Sequence, residues 1–297
     1  MTPREAGFLL LTSHLGDLER KVLTVPQLRV LAQCVQSSKL ADENGEVTVE
    51  DLMKMGFNRP SAQRVVDLLS ETERLQYYLR NGTRQDCIAI TRVSEGYPLV
   101  LRKRLGLDSP GCLWLKGDRS LLETPMIALV GSRDLHPENW NFAQEVGFQA
   151  AKQGFTLVSG NARGADQTAQ EACLRSGGKV ICVVADALEQ QPVRENVLYI
   201  SEDGYDLTFS AQRALSRNRV IHALGYMTFV AQCTNGQGGT WQGTLQNLKQ
   251  NYSPVYCFGD DSAATAVLTD MGAALVCIED LRDFSALKPN TENFITQ

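Results

Sequence analysis

The residues best suited to chemistry lie in glycine-bearing turns. Gly131-Ser132-Arg133 closes one short apolar run, and Ser159-Gly160-Asn161-Ala162-Arg163-Gly164, with Asp166 just beyond, closes the next. Glycine lets the backbone approach a ligand closely, amides at a helix start donate to anions, and the arginine fork matches phosphate oxygens. Two further groups suit the same task. Arg213 and the Arg217-Asn218-Arg219 triplet place two arginines four residues apart on a predicted helix face, and Asn235-Gly236-Gln237-Gly238-Gly239-Thr240 stands where a strand passes into a helix. One arginine or one Gly-rich loop alone reads as ordinary surface. Four anion-suited groups in order along one chain predict a phosphate site, with Gly131, Gly160 and Gly238 on a common edge and Arg133 and Arg163 pointing into one cleft.

Catalytic readings fare worse. Ser159 has no histidine and carboxylate at a suggestive spacing for a nucleophile. His136 reads as a helix-entry residue and His222 as a packed one. Asp166 has a better claim, as a carboxylate that orders Arg163 or the loop amides around it. Trp241 or Tyr205 is a candidate to stack a base.

The elements that must position these residues follow a simple alternation. Strands are predicted at Met126–Val130, Phe155–Val158, Lys179–Val184, Val197–Ile200, Met227–Ala231, Pro254–Phe258 and Ala274–Ile278. Helices lie between them at Pro137–Gln153, Asp166–Ser176, Ser210–Leu224, Thr240–Gln250 and Ser262–Asp270. Strictly alternating strand and helix is the pattern of a doubly wound α/β sheet, Rossmann-like and mostly parallel, whose ligands sit beyond the carboxyl ends of the strands. Residues 1–85 read instead as an all-helical module of helix-hairpin-helix or sterile-alpha-motif type. Thr24 with Gln27 and Thr48 with Asp51 mark helix starts, the polar segment Lys39–Gly45 ends in an Asn-Gly turn, and Gly56–Ser61 separates two helices. Short strands are predicted at Cys87–Ile90 and Cys112–Leu115, and the basic run Arg102-Lys103-Arg104 is open to a nucleic-acid-facing reading but reads by default as a solvated helix end. The boundaries expected are 1–85, 86–285 and a short tail at 286–297.

Bulk properties exclude several classes. The chain has 297 residues, 43% hydrophobic and 21% charged, with formal net charge −5, so binding to nucleic acid must be local rather than general. No apolar run approaches a membrane span, which predicts no membrane partner and a cytoplasmic protein. The eight cysteines form no C-x-x-C pair and read as reduced, mostly buried thiols; no metal and no cofactor is expected.

Gly131-Ser132-Arg133, the Ser159–Asp166 turn, Ser201-Glu202-Asp203 and Arg217-Asn218-Arg219, preceded by Gly96-Tyr97-Pro98 and Trp114-Leu115-Lys116-Gly117, together resemble the DNA-processing protein A (DprA/Smf) family over roughly residues 88–260. That resemblance implies a non-enzymatic protein that binds single-stranded DNA on the sheet edge, loads a RecA-type recombinase during natural transformation, and acts as a homodimer. It carries the binding role onto Arg133, Ser159, Gly160, Arg163, Gly164, Asp166, Arg213, Arg217, Asn218 and Arg219. The chain departs from the family pattern at Gln170, where histidine is usual, at Gln232, where an acid is usual, and at Gly238-Gly239-Thr240-Trp241, where a lysine-bearing loop is usual. The C-terminal winged-helix segment of some members is not expected here. The competing reading is a nucleotide sensor or a phosphoribohydrolase-like protein on the same sheet. Hydrolysis is disfavoured, because Trp241 and Gln242 stand where such enzymes place a glutamate.

Overall fold

The computed structural model describes residues 1–38 and 47–289. The predicted Asn-Gly turn near Gly45 and all but the first residues of the expected tail lie outside the described residues. Two compact units are present: Met1–Tyr97 with Pro110–Trp114 and Glu202–Gly204, and Pro98–Ser109 with Leu115–Ser201 and the chain from Tyr205 onward.

The first unit is helical. It contains α1 (Pro3–Thr12), α2 (Val25–Ser37), α3 (Val49–Lys54), α4 (Arg59–Ser70) and α5 (Thr72–Arg84), followed by strand β1 (Ile88–Thr91). The helix starts follow local chemistry. Thr2, Thr24 and Thr48 each form a capping box, and Asn58 accepts from the Ser61 amide at 2.9 Å. Leu11, Leu23, Leu31, Leu52, Ala62, Val65 and Leu68 form its core. Arg20 is buried with them, its charge met by Glu71 at 3.0 Å and by the carbonyls of Ser13 and Leu10.

The second unit opens with α6 (Leu99–Leu105) and takes the end of β2 (Cys112–Gly117). It then alternates β3 (Met126–Val130), α7 (Pro137–Lys152), β4 (Thr156–Ser159), α8 (Ala165–Arg175), β5 (Lys179–Val183) and β6 (Val197–Ser201). After these come α9 (Ala211–Ser216), α10 (Asn218–Leu224), β7 (Thr228–Val230), α11 (Gly238–Gln250), β8 (Val255–Phe258), α12 (Ala263–Asp270) and β9 (Ala274–Val276). The strands run in the order β6-β5-β4-β3-β7-β8-β9, with every adjacent pair parallel and β2 beside β6. The mostly parallel, doubly wound sheet expected from the alternation is therefore present. Strands β3, β4, β6, β7 and β8 are buried along their whole length, as strands covered by helices on both faces must be. The chain winds outward from β3 through β4, β5 and β6, then crosses back to β7 on the other side of β3. That reversal makes the carboxyl ends of β3 and β7 the switch point, where the sheet opens a crevice. One predicted helix differs: Ser210–Leu224 is two helices, α9 and α10, meeting at Arg217.

Candidate nucleic-acid interface

A cleft of about 580 Å³ lies at the switch point. Val130 to Arg133 at the end of β3 form its floor, Thr234 and the Gln237–Thr240 turn entering α11 form one wall, and Arg217 with Asn218 at the start of α10 form another. Glycine is required where backbones converge. A Cβ on Gly131 would lie 2.4 Å from the Cβ of Ala165, because α8 starts directly against β3. Gly164 has φ of +86°, and a Cβ there would meet the carbonyls of Ser132 and Arg133 at 2.5 and 2.4 Å. The two turns are thus interlocked: the Ala165 amide donates to Ser132 O at 3.1 Å and the Ser132 amide to Gln232 O at 2.9 Å.

Arg217 is the centre of the polar network. Its Nη2 donates to the Gly160 carbonyl at 3.1 Å, its Nη1 to Asn218 Oδ1 at 2.9 Å, and it lies 4.0 Å from Asp166 Oδ2. The guanidinium rests so closely on Gly160 that a Cβ there would fall 1.8 Å from Nη1. Asp166 is buried and accepts from the amides of Gly160 at 3.1 Å and Ala162 at 3.2 Å. Burial pushes its carboxyl above the ordinary range, opposed by Arg217, by the two amides and by Arg133. Asn218 Nδ2 donates to Gly239 O at 2.9 Å and Thr240 Oγ1 to Gly131 O at 2.9 Å, which ties the α11 start to the other two walls. No side chain caps the start of α11, and Gly238, Gly239 and Thr240 line the cleft, so the positive end of a thirteen-residue helix faces it.

The cleft therefore gathers Gly131, Ser132, Arg133, Asp166, Arg217, Asn218, Gly238, Gly239 and Thr240 from the predicted set. Gly160 contributes its carbonyl and its missing side chain rather than a wall. Ser159 is buried and accepts from Gln170 Nε2, so glutamine at this position anchors the second turn from beneath. Gln232 likewise braces the first turn, accepting from the His136 amide at 2.9 Å and donating to Asp134 O at 3.2 Å.

The expected places of three arginines are corrected. Arg163 does not enter the cleft: it is exposed and pairs with Asp134 at 2.8 Å. Of the two roles expected of Asp166 the structure shows the ordering of the loop amides, and the arginine beside it is Arg217 rather than Arg163. Arg213 stands one helical turn before Arg217, whose amide donates to the Arg213 carbonyl at 3.0 Å, yet it does not line the cleft. Its guanidinium is spent on the carbonyls of Ala185, Leu207 and Thr208 and on Ser201 Oγ. Arg219 turns away along α10, its Nε donating to Asp108 O at 3.1 Å. The stacking candidates also differ: Trp241 and Tyr205 are buried and do not line the cleft, whereas Phe209, 56% exposed, and Leu215 do. Phe209 was overlooked in the sequence. Its signal was its place immediately before the helix-capping Ser210, where an apolar residue ordinarily packs down on the first turn.

A doubly wound parallel sheet with glycine turns, two arginines and an uncapped helix start at its switch point defines a Rossmann-like protein. A sequence model of the family described as DNA recombination-mediator protein A matches residues 88–285, and the chain belongs to that family. It is 30% identical over 141 residues to DNA processing protein DprA of Streptococcus pneumoniae, a match covering 44% of this chain and 50% of that one. It is 29% identical over 160 residues to protein Smf of Escherichia coli, covering 49% and 41% respectively. The chain spans about half the length of the curated relatives it matches. The crystal structure of the Streptococcus pneumoniae DprA superposes with a TM-score of 0.72 at 22% identity, covering 97% of this chain and 99% of that one. A structure of DNA processing protein A from Helicobacter pylori, described for its single-stranded DNA binding mode, gives a TM-score of 0.55 at 24% identity over 67% and 93%. These likenesses establish the shared fold. Among the described residues no helix is long and apolar enough to cross a membrane.

Proposed function

We propose that this protein binds single-stranded DNA through its backbone phosphates at the switch-point cleft and acts in DNA recombination without catalysing a reaction. The observation that carries the reading is the charge arrangement of the cleft. Arg133, Arg217 and the open start of α11 converge on it, and the lining residues include a single carboxylate, Asp166, whose Oδ2 is already engaged by two amides. The lining offers no activated base or nucleophile: burial pushes the Cys233 thiol up to about 12. Phe209 and Leu215 add an apolar wall suited to a base face. A Helicobacter pylori protein of this fold is described as binding single-stranded DNA, which supports the choice of polymer. Delivery of the strand to a RecA-type recombinase, a homodimeric state and a cytoplasmic location complete the proposal, and rest on family membership.

A second reading, a sensor of a free nucleotide, draws on the cleft volume, which falls within the range of small-ligand sites. Titrating labelled oligo-dT at increasing salt separates the two. Strand binding by phosphates gives a log affinity that falls linearly with log salt, by roughly 0.7 per phosphate neutralised. Absence of oligo-dT binding at low salt, together with saturable binding of a mononucleotide, would replace the proposal with the second reading.

A further inference from the structure

The charges of the second unit are segregated. From residue 207 to residue 259 the sequence contains no aspartate or glutamate, while Arg213, Arg217, Arg219 and Lys249 fall within it, on a chain whose net charge is −5. This stretch supplies α9, α10 and α11. Helix α6 packs on α10 and is also free of carboxylates, carrying Arg102, Lys103 and Arg104. The connections β3-α7-β4-α8-β5 run one way along the sheet and β6-α9-α10-β7 runs back. Right-handed crossovers therefore place α7 and α8 on the opposite face from α10. That opposite face bears Glu138, Glu145, Asp166 and Glu171 against Lys152 and Arg175. Helices α6, α9, α10 and α11 thus carry basic residues and no carboxylate, with Asp108 following α6 and Asp270 closing α12, whereas α7 and α8 carry both signs.

These basic helices are continuous with the cleft. Asn218, the first residue of α10, lines the cleft, and its neighbour Arg219 reaches the carbonyl of Asp108 just beyond the end of α6. Arg104 then donates to the carbonyls of Ala223 and Gly225 at the far end of α10. These contacts align α6 antiparallel to α10, whose seven residues span about 10 Å. Arg104 is held in this packing, whereas Arg102 and Lys103 stand exposed on α6.

We infer that the α10–α6 surface is a second binding site, a phosphate track on which Arg102 and Lys103 hold the backbone of a single strand after it leaves the cleft. The inference rests on the proposed function, since the strand must first occupy the cleft. The cleft engages the nucleotides at its own walls, and the track is reached only by a longer polymer.

The test is length dependence. Fluorescence anisotropy with dT4 and dT20 would be measured for wild type, Arg102→Ala/Lys103→Ala, Arg133→Ala and Lys152→Ala, with thermal melting to confirm folding. The double variant should bind dT20 roughly tenfold more weakly at low salt, lower its salt slope by about 1.4, and leave dT4 binding unchanged. Lys152, exposed on α7 of the other face, should be neutral for both. Unchanged dT20 binding by the double variant, with Arg133→Ala still weakened, overturns the track and leaves the cleft reading intact. Equal losses on dT4 and dT20, or an equal loss in Lys152→Ala, also overturn it, since the effect would then be local distortion or diffuse charge. Wild type that binds neither oligonucleotide would remove the cleft reading and the track together.

Discussion

Gly160→Ala perturbs the site through a single steric relation. Gly160 has no left-handed backbone conformation, so alanine is acceptable to the chain there. The obstacle is Arg217, whose Nη1, Nη2 and Cζ would lie 1.8, 2.0 and 2.1 Å from the new methyl group. The guanidinium is the far end of a flexible side chain, so it swings out of its seat while the backbone holds. Departure breaks the charge-assisted bond from Nη2 to the Gly160 carbonyl and moves the cation away from buried Asp166. A charge-assisted hydrogen bond contributes about 1.5–3 kcal/mol, so a loss of about 2 kcal/mol is expected, read as a lower urea midpoint at constant m. The same reasoning demands that the cost vanish when Arg217 is absent. Introduced into Arg217→Ala, the Gly160→Ala change should lie within about 0.5 kcal/mol of neutral, which gives a coupling of about 2 kcal/mol in the double-mutant cycle. Oligo-dT affinity should fall together with stability in Gly160→Ala, because a displaced Arg217 must be re-ordered by the ligand. A full-sized stability loss in the Arg217→Ala background would refute the reasoning, since the glycine would then be required by something other than the arginine.

Arg133→Ala should weaken oligo-dT binding about tenfold or more and lower the salt slope by roughly 0.7, measured by anisotropy, whereas Arg175→Ala at the far end of α8 should change affinity little. Arg213→Ala should act on stability: it strips a charged donor from the carbonyls of Ala185, Leu207 and Thr208, at a cost of about 2–3 kcal/mol in chemical denaturation. His222 is fully buried beside Asn247, and burial, with Arg217 adding to it, lowers its pKa from 6.5 to about 3. The unfolded chain therefore binds a proton that the folded chain refuses. The stability contributed by neutral His222 is complete above pH 6.5 and is lost as pH falls toward 3. Acidification from 6.5 to 4.5 should remove about 2 kcal/mol, and a His222→Gln variant should lack that part of the slope.

Local patterns were legible in the sequence because they depend on neighbours along the chain. Apolar runs bounded by glycine marked β3 and β4, and Thr24 and Thr48 announced their helices through contacts three residues away. The strand–helix alternation followed from the same signals, and with it the edge on which Gly131 and Gly238 meet. Family membership was legible too, since it rests on short motifs that the turns themselves require. The destinations of long side chains were not. Arg163, Arg213, Arg217 and Arg219 are alike in type and close in sequence to anion-suited turns, yet only Arg217 lines the cleft. What separates them is which oxygens the fold brings within reach. Asp134 meets Arg163, the carbonyls after β5 and before α9 meet Arg213, the Gly160 carbonyl meets Arg217, and the end of α6 meets Arg219. The break between α9 and α10 at Arg217 and the outward face of Phe209 have the same origin. The residues of the sequence determined a doubly wound α/β protein of a particular family. Only tertiary packing, by supplying or withholding partners from elements distant in the chain, decided which of its arginines line the cleft.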